Sequence, residues 1–177
     1  MLTTIQLPQE VKEFLVESNL IEREDSDVAH NASMIAWIYA EQEVIVRKKS
    51  FNLNNLCQIH HLLMMSLNKR ISGKLRECDV YVGKRHCKYL GRSVIEEQLQ
   101  QVFDAMEVTI KNVHSFSESE REATTKECHV AFEHIHPFED GNGRVGRILY
   151  NIHRLKLGLP IHIIHEGDEQ MAYYKWF

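Results

Sequence analysis

The stretch His136-Pro137-Phe138-Glu139-Asp140-Gly141-Asn142-Gly143-Arg144-Val145-Gly146-Arg147 brings an imidazole, a carboxylate, a glycine-flanked turn and two arginines into twelve residues. Gly141, Asn142 and Gly143 permit a sharp turn with left-handed backbone, which lines up successive N–H groups as an anion-binding nest. A helix beginning at Val145 adds the positive end of its dipole to the same place. Arg144 and Arg147 stand three apart and so share a helical face, and their forked guanidinium groups suit phosphate oxygens. Asp140 supplies a hard oxygen ligand of the kind magnesium takes when it bridges phosphates. His136 can be neutral near pH 7 and can accept a hydroxyl proton. Any one of these residues alone would read as ordinary loop or solvated surface. The ordered set reads as a site that holds a metal-bound polyphosphate beside a hydroxyl nucleophile.

Such a loop has to be carried by rigid elements, and the periodicity on both sides is helical. Ser117 with Glu120 forms a capping-box signature that opens a helix running to Ile135. Val145, Ile148, Leu149, Ile152 and Leu155 line a helix from Val145 to Leu157 that stops before Gly158 and Pro160. Upstream, Ile95, Leu99, Val102, Phe103, Met106, Ile110 and Val113 make one apolar stripe, with Ser93 and Glu96 as the expected capping box at its start. Leu56, Ile59, Leu63 and Leu67 mark a further amphipathic helix, as do Val28, Ala32, Ile35 and Tyr39. Asp168 is expected to cap a last short helix through Tyr174. Only Arg76 to Leu90 departs from this pattern. There Val80-Tyr81-Val82 and Cys87-Lys88-Tyr89-Leu90 flank Gly83-Lys84-Arg85-His86, which predicts a β-hairpin lying against helices. The expected fold is all-α, a single domain over residues 1–177 with one inserted hairpin.

Composition narrows the function classes. A chain of 177 residues with 44% hydrophobic and 26% charged residues is ordinary for a globular domain. Its net charge of −4 argues against a general nucleic-acid partner. No apolar run reaches membrane-span length and the first ten residues lack a signal-peptide pattern, so no membrane partner and a cytoplasmic location are expected. Cys57, Cys78, Cys87 and Cys128 are scattered and read as reduced thiols. Pairings such as Cys57 with His60, or Cys128 with His129, lack the second pair a zinc site needs. His60 reads as a helix histidine packed against the core. Gly73-Lys74 lacks the other positions of a P-loop.

The twelve-residue stretch resembles the complete signature of Fic-domain proteins (the Fic/Doc superfamily), His-Pro-Phe-x-Asp/Glu-Gly-Asn-Gly-Arg-x-x-Arg, at every defined position. Ile59-His60-His61-Leu62-Leu63-Met64 and Ser72-Gly73-Lys74-Leu75-Arg76 are similar to the family's upstream helix and its approach to a hairpin called the flap. The resemblance implies a Fic-fold helical bundle and a nucleotidyltransferase that moves AMP from ATP to a Ser, Thr or Tyr hydroxyl of a target protein. By this likeness His136 would be the catalytic base, and Asp140 would hold Mg²⁺. Gly141, Asn142, Gly143 and Arg144 would cradle the phosphates, with Arg147 on the γ-phosphate. Val80, Tyr81, Val82 and Gly83 of the flap would pair with the target as an added strand. The residues themselves reach anion binding and a base; the adenylyl chemistry comes from the resemblance. Another donor such as UTP or CDP-choline, the reverse hydrolysis, and a nucleotide-sensing regulator stay open, as does the oligomeric state. The resemblance also leads one to expect further helix after Trp176-Phe177.

Many members of that family carry an inhibitory Ser/Thr-x-x-x-Glu-Gly/Asn helix whose glutamate pairs with the second arginine of the signature. Ser18-Asn19-Leu20-Ile21-Glu22-Arg23 resembles it, within an N-terminal helix expected in residues 1–25. Ser18 and Glu22 are one turn apart on a shared face. Arg23 stands where glycine or asparagine is usual.

Overall fold

The helix that follows the loop is the most enclosed element of the fold. In the computed structural model, which describes residues 7–82 and 85–177, twelve of the fifteen residues of this helix, α6 (Asn142–Lys156), are buried. Around it pack α1 (Gln9–Ile21), α2 (Asp27–Ala40), α3 (Leu53–Met64) and α5 (Glu118–Ile135), with α4 (Arg92–Lys111) covering α5. A short α7 (Asp168–Tyr174) lies near the end of the chain. The core between them is built from Phe14, Trp37, Leu56, Ile59, Leu63, Leu99, Phe103, Phe132, Phe138, Val145, Ile148 and Ile152, all at most 2% exposed. The fold is therefore helical with a small hairpin, and its axis is the helix that carries both signature arginines.

Local chemistry accounts for most helix ends. The capping box at α5 is complete: Ser117 Oγ accepts from the Glu120 N–H at 3.3 Å, and Glu120 Oε2 accepts from the Ser117 N–H at 2.8 Å. Ser26 caps α2 by accepting from the Ala29 N–H, and Asn52 caps α3 by accepting from the Asn55 N–H. The expected box at Ser93 does not form. Helix α4 begins at Arg92 after Gly91, whose φ of +108° turns the chain first, and Glu96 instead accepts from Arg92 Nε at 2.7 Å. Asp168 likewise is the first residue of α7 and not its cap; that position falls to Gly167, with φ +101° and no side-chain bond. Helix α6 starts at Asn142, earlier than the Val145 expected from apolar periodicity, because its first turn is polar and periodicity does not register it.

The hairpin is shorter and shifted. Strands β1 (Val80–Val82) and β2 (Arg85–Cys87) are antiparallel, with Val80 opposite Cys87, Tyr81 opposite His86 and Val82 opposite Arg85. The sequence pattern placed Arg85 and His86 in the turn and continued the second strand to Leu90. Instead the chain leaves the ladder after Cys87: the Tyr89 N–H turns to Asp79 Oδ1 at 2.7 Å, and the Lys88 carbonyl accepts from Arg76 at 3.3 Å. Gly83, the fourth flap position, lies outside the described residues. Among those residues no helix is long and apolar enough to cross a membrane.

Candidate active site

The signature loop is held by side chains that bond to its backbone. His136 ends α5 in the left-handed region, at φ 48° and ψ 63°, a conformation that costs a non-glycine residue roughly 1–2 kcal/mol and persists only when its surroundings impose it. Arg76, 3% exposed, imposes it. Its Nε donates to the His136 carbonyl at 2.8 Å, its Nη atoms to the carbonyls of Cys78, Lys88 and Ile135, and its own N–H to the Pro137 carbonyl at 2.9 Å. One guanidinium thus ties the end of α5, the loop and the base of the hairpin together. Arg76→Ala is expected to strand these buried carbonyls and lower stability by about 3 kcal/mol, read as a drop in the urea midpoint.

Deeper in the loop, Asn142 donates from Nδ2 to the Phe138 carbonyl and accepts from the Phe138 N–H, each at 2.9 Å. Its side chain is used within the loop, so only its main chain remains for an anion. Phe138 is fully buried and stacks on His60 with centroids 3.8 Å apart and planes 2° from parallel. His60 Nδ1 accepts from the Gly73 N–H at 2.9 Å, so Nε2 carries the proton and donates to the Asp140 carbonyl at 3.0 Å. Burial holds the His60 pKa down at about 4, which keeps this neutral form. The sequence pattern placed His60 in the core. Its grip on Asp140 was not legible, because the two residues lie 80 positions apart and only folding brings them together.

These constraints create the nest. Because α6 begins at Asn142, the first main-chain N–H groups of Asn142, Gly143 and Arg144 have no partner within the helix and lie at its positive end. Arg144 is 4% exposed, and its Nε and Nη1 are buried without partners; Nη2 touches only Met64 Sδ at 3.6 Å. A buried guanidinium with idle donors is costly unless an anion completes it. Asp140 is exposed, with Oδ1 accepting from the Gly141 N–H at 2.6 Å. Among the described residues no three His, Cys, Asp or Glu side chains gather as a metal cage. One outward carboxylate beside a phosphate nest nevertheless fits magnesium, which takes one or two protein carboxylates and completes its shell with phosphate oxygens and water.

Arg147 does not join Arg144, although the two are three apart on one helix. It is 2% exposed and faces α1: Nε donates to Ser18 Oγ at 2.9 Å, and Nη2 donates to the Ser18 carbonyl at 2.8 Å and to Glu22 Oε1 at 2.7 Å. Burial opposes its charge, but the neighbouring Glu22 and Tyr173 outweigh burial and raise its pKa. Gly143 makes the room for Glu22, since a Cβ there would stand 2.3 Å from Glu22 Oε1. Helix α1 ends with a Schellman pair, Glu24 N–H to the Asn19 carbonyl at 3.0 Å and Arg23 N–H to the Leu20 carbonyl at 2.8 Å. Arg23 adopts the left-handed φ of 56° that glycine or asparagine would take more easily. Arg23→Asn is expected to relieve about 1 kcal/mol of backbone strain and raise Tm by roughly 2–4 °C in thermal unfolding.

His136 turns Nδ1 inward, buried and without a hydrogen-bond partner. Burial pushes its pKa down to about 4, so the imidazole is neutral at pH 7. The flap stands alongside. Tyr81 is 68% exposed and stacks on His86, and Arg85 Nη2 reaches from β2 to the Glu133 carbonyl near the end of α5 at 3.0 Å.

Residues 50–153 match the sequence model of the Fic/DOC family. Among curated proteins, the chain is similar to "Protein adenylyltransferase fic-1" of Caenorhabditis briggsae, 28% identical over 123 residues that make up 70% of this chain and 23% of that protein. It is also similar to "Protein adenylyltransferase Fic" of Drosophila virilis, 29% identical over 130 residues, 73% of this chain and 25% of that protein. The chain thus spans about a quarter of the length of the curated relatives it matches. Among solved structures, a Fic domain containing signaling protein from Bacteroides thetaiotaomicron superposes with a TM-score of 0.76 at 18% identity, over 95% of this chain and 70% of that one. Fic-1 from C. elegans superposes with a TM-score of 0.76 at 14% identity, over 98% of this chain and 59% of that one.

Proposed function

The chain belongs to the Fic/DOC family, and we propose that it is a protein adenylyltransferase, moving AMP from ATP to a hydroxyl of a target protein, held back by Glu22. The observation that carries this reading is Arg144, a buried cation with idle donors beside three unpartnered helix N–H groups and a neutral imidazole. The names of the relatives support the choice of AMP over other groups.

On this reading the nest and Arg144 bind and orient the phosphates, and His60 and Asn142 keep the loop rigid while they do so. His136 Nε2 takes the proton from the target hydroxyl as its oxygen attacks the α-phosphorus, and pyrophosphate leaves. Asp140 is the side chain that would hold magnesium, which when bound offsets the negative charge on the phosphates. Arg147 is the cation for the γ-phosphate, and Glu22 competes with that phosphate for Nη2. The exposed edge of the hairpin at Val80–Val82 aligns the target's main chain. The partners are then ATP and a hydroxyl-bearing protein in the cytoplasm, the chain itself included.

The test incubates the protein and a lysate with ATP labelled separately at the α- and γ-positions, with CTP and UTP as competing donors. Protein label from the α-position alone is expected. Label from the γ-position would mean phosphorylation and overturn the reading, and preferential use of CTP or UTP would overturn the choice of AMP.

A further inference from the structure

Glu133 is a buried carboxyl group that the reaction above does not use. It lies on the last turn of α5, 4% exposed, and Oε1 has no hydrogen-bond partner. Its Oε2 stands 3.7 Å from His136 Nδ1, itself buried and unpartnered. The unpartnered Nδ1 therefore faces Oε2 of a carboxyl group whose other oxygen, turned towards Gly146, is itself unpartnered. Helix α6 makes the room: Gly146 passes so close that a Cβ there would stand 2.2 Å from Glu133 Oε1. A buried carboxyl with an idle oxygen is costly, and a neutral or apolar residue would fill the space more cheaply.

We infer that Glu133 is a positioning residue for His136, accepting the Nδ1 proton so that Nε2 keeps its lone pair for the target hydroxyl. The inference rests on the reading of His136 as base. The gap of 3.7 Å exceeds a hydrogen bond, and catalytic pairs of this kind commonly tighten when substrate binds. When Nε2 takes the hydroxyl proton, the new oxygen–phosphorus bond forms and the bond to pyrophosphate breaks. The imidazolium then keeps its Nδ1 proton against the carboxylate, and the Nε2 proton passes to solvent. The reverse arrangement does not work: a protonated Glu133 donates to Nδ1, which puts the histidine's own proton on Nε2 and removes the base.

This gives the pair a pH dependence with a definite sign. The charged and titratable groups around Glu133 are Arg147 from α6, Glu22 from α1, Arg85 from β2, Tyr173 from α7 and His136 itself; Arg76 also faces His136. Burial dominates and raises the Glu133 pKa to about 7, Glu22 pushes in the same direction, and Arg147 and Arg85 oppose. Glu133 is therefore protonated below about pH 7 and ionised above it, so transfer is expected to rise with pH through that range.

The closing experiment uses the full chain, its Glu22→Gly variant and Glu133→Gln in both backgrounds. With ¹⁵N-labelled histidine, long-range ¹H–¹⁵N spectra report the His136 tautomer whether or not any group is transferred. The parent is expected to shift towards the Nδ1–H form between pH 6 and 8.5, and Glu133→Gln to show no such shift. In kinetics, Glu133→Gln should lose on the order of a hundredfold in kcat with ATP KM nearly unchanged, and should lose the rise near pH 7. A tautomer that does not respond to pH in the parent overturns the inference, and this holds even if Glu133→Gln does not fold. So does a Glu133→Gln enzyme with parental kcat and pH profile. Absence of α-label transfer in every protein would instead overturn the proposed function, leaving the tautomer result to decide Glu133.

Discussion

His136→Ala is expected to lose on the order of 10²–10⁴ in α-label transfer, the usual contribution of a positioned general base. The loss should fall on kcat. The imidazole makes no hydrogen bond to the loop, and Arg76 holds the residue through its main-chain carbonyl. The phosphate contacts assigned to the nest and Arg144 do not involve it. Binding of a non-transferable ATP analogue should therefore stay within about twofold of the parent. Alanine is less at ease than histidine at φ 48°, so His136→Asn is the matched control, since asparagine accepts the left-handed region. Both variants should be equally silent. Transfer within a few-fold of the parent in His136→Asn would mean that some other group takes the proton, and the role assigned to His136 would be lost.

Glu22→Gly should move activity the other way, raising ATP-dependent labelling roughly tenfold to a hundredfold. The magnitude follows from what is removed. Glu22 Oε1 accepts a charge-assisted bond of 2.7 Å from a guanidinium that is almost wholly buried. Such bonds contribute about 1.5–3 kcal/mol, and on the proposed reading a γ-phosphate has to displace this one. Arg147 keeps its two bonds to Ser18 in the variant, so the helix contact weakens without being lost. Linkage makes a second readout obligatory: whatever the carboxylate costs ATP, its removal returns to ATP. ATP should thus raise Tm more in Glu22→Gly than in the parent. Equal labelling and equal thermal shifts in the two proteins would dismiss Glu22 as an inhibitor.

The contact between Glu22 and Arg147 forms although an unusual residue follows the glutamate. The Schellman ending needs a left-handed residue at position 23, and Arg23 supplies it at a strain cost that glycine would avoid. The carboxylate arrives at Arg147 all the same, because its direction is set by the helix before it and by the open space over Gly143.

Legibility followed the range of the interaction. The capping box of α5 and the end of α6 are local, a few residues each, and the sequence pattern placed both. The starts of α4 and α7 were misplaced by a residue or two, because a glycine with positive φ took the cap that Ser93 and Asp168 were expected to provide. The second strand slipped because Asp79 and Arg76, from outside it, claimed the main-chain groups of Lys88 and Tyr89.

By itself the sequence determined which groups lie within reach of one loop: an imidazole, a glycine-flanked turn, two arginines and a carboxylate, in an order that short-range backbone geometry makes meaningful. It could not say where each side chain would turn. Arg144 and Arg147 share a helix face and yet serve different partners, the first left idle beneath the loop and the second claimed by Ser18 and Glu22 from more than a hundred residues away. Glu133 read as one more helical glutamate until α6 passed it with a glycine and left its carboxyl facing His136. Residue types and spacing are properties of the chain. Burial, and the partner that burial makes obligatory, exist only once distant segments have met.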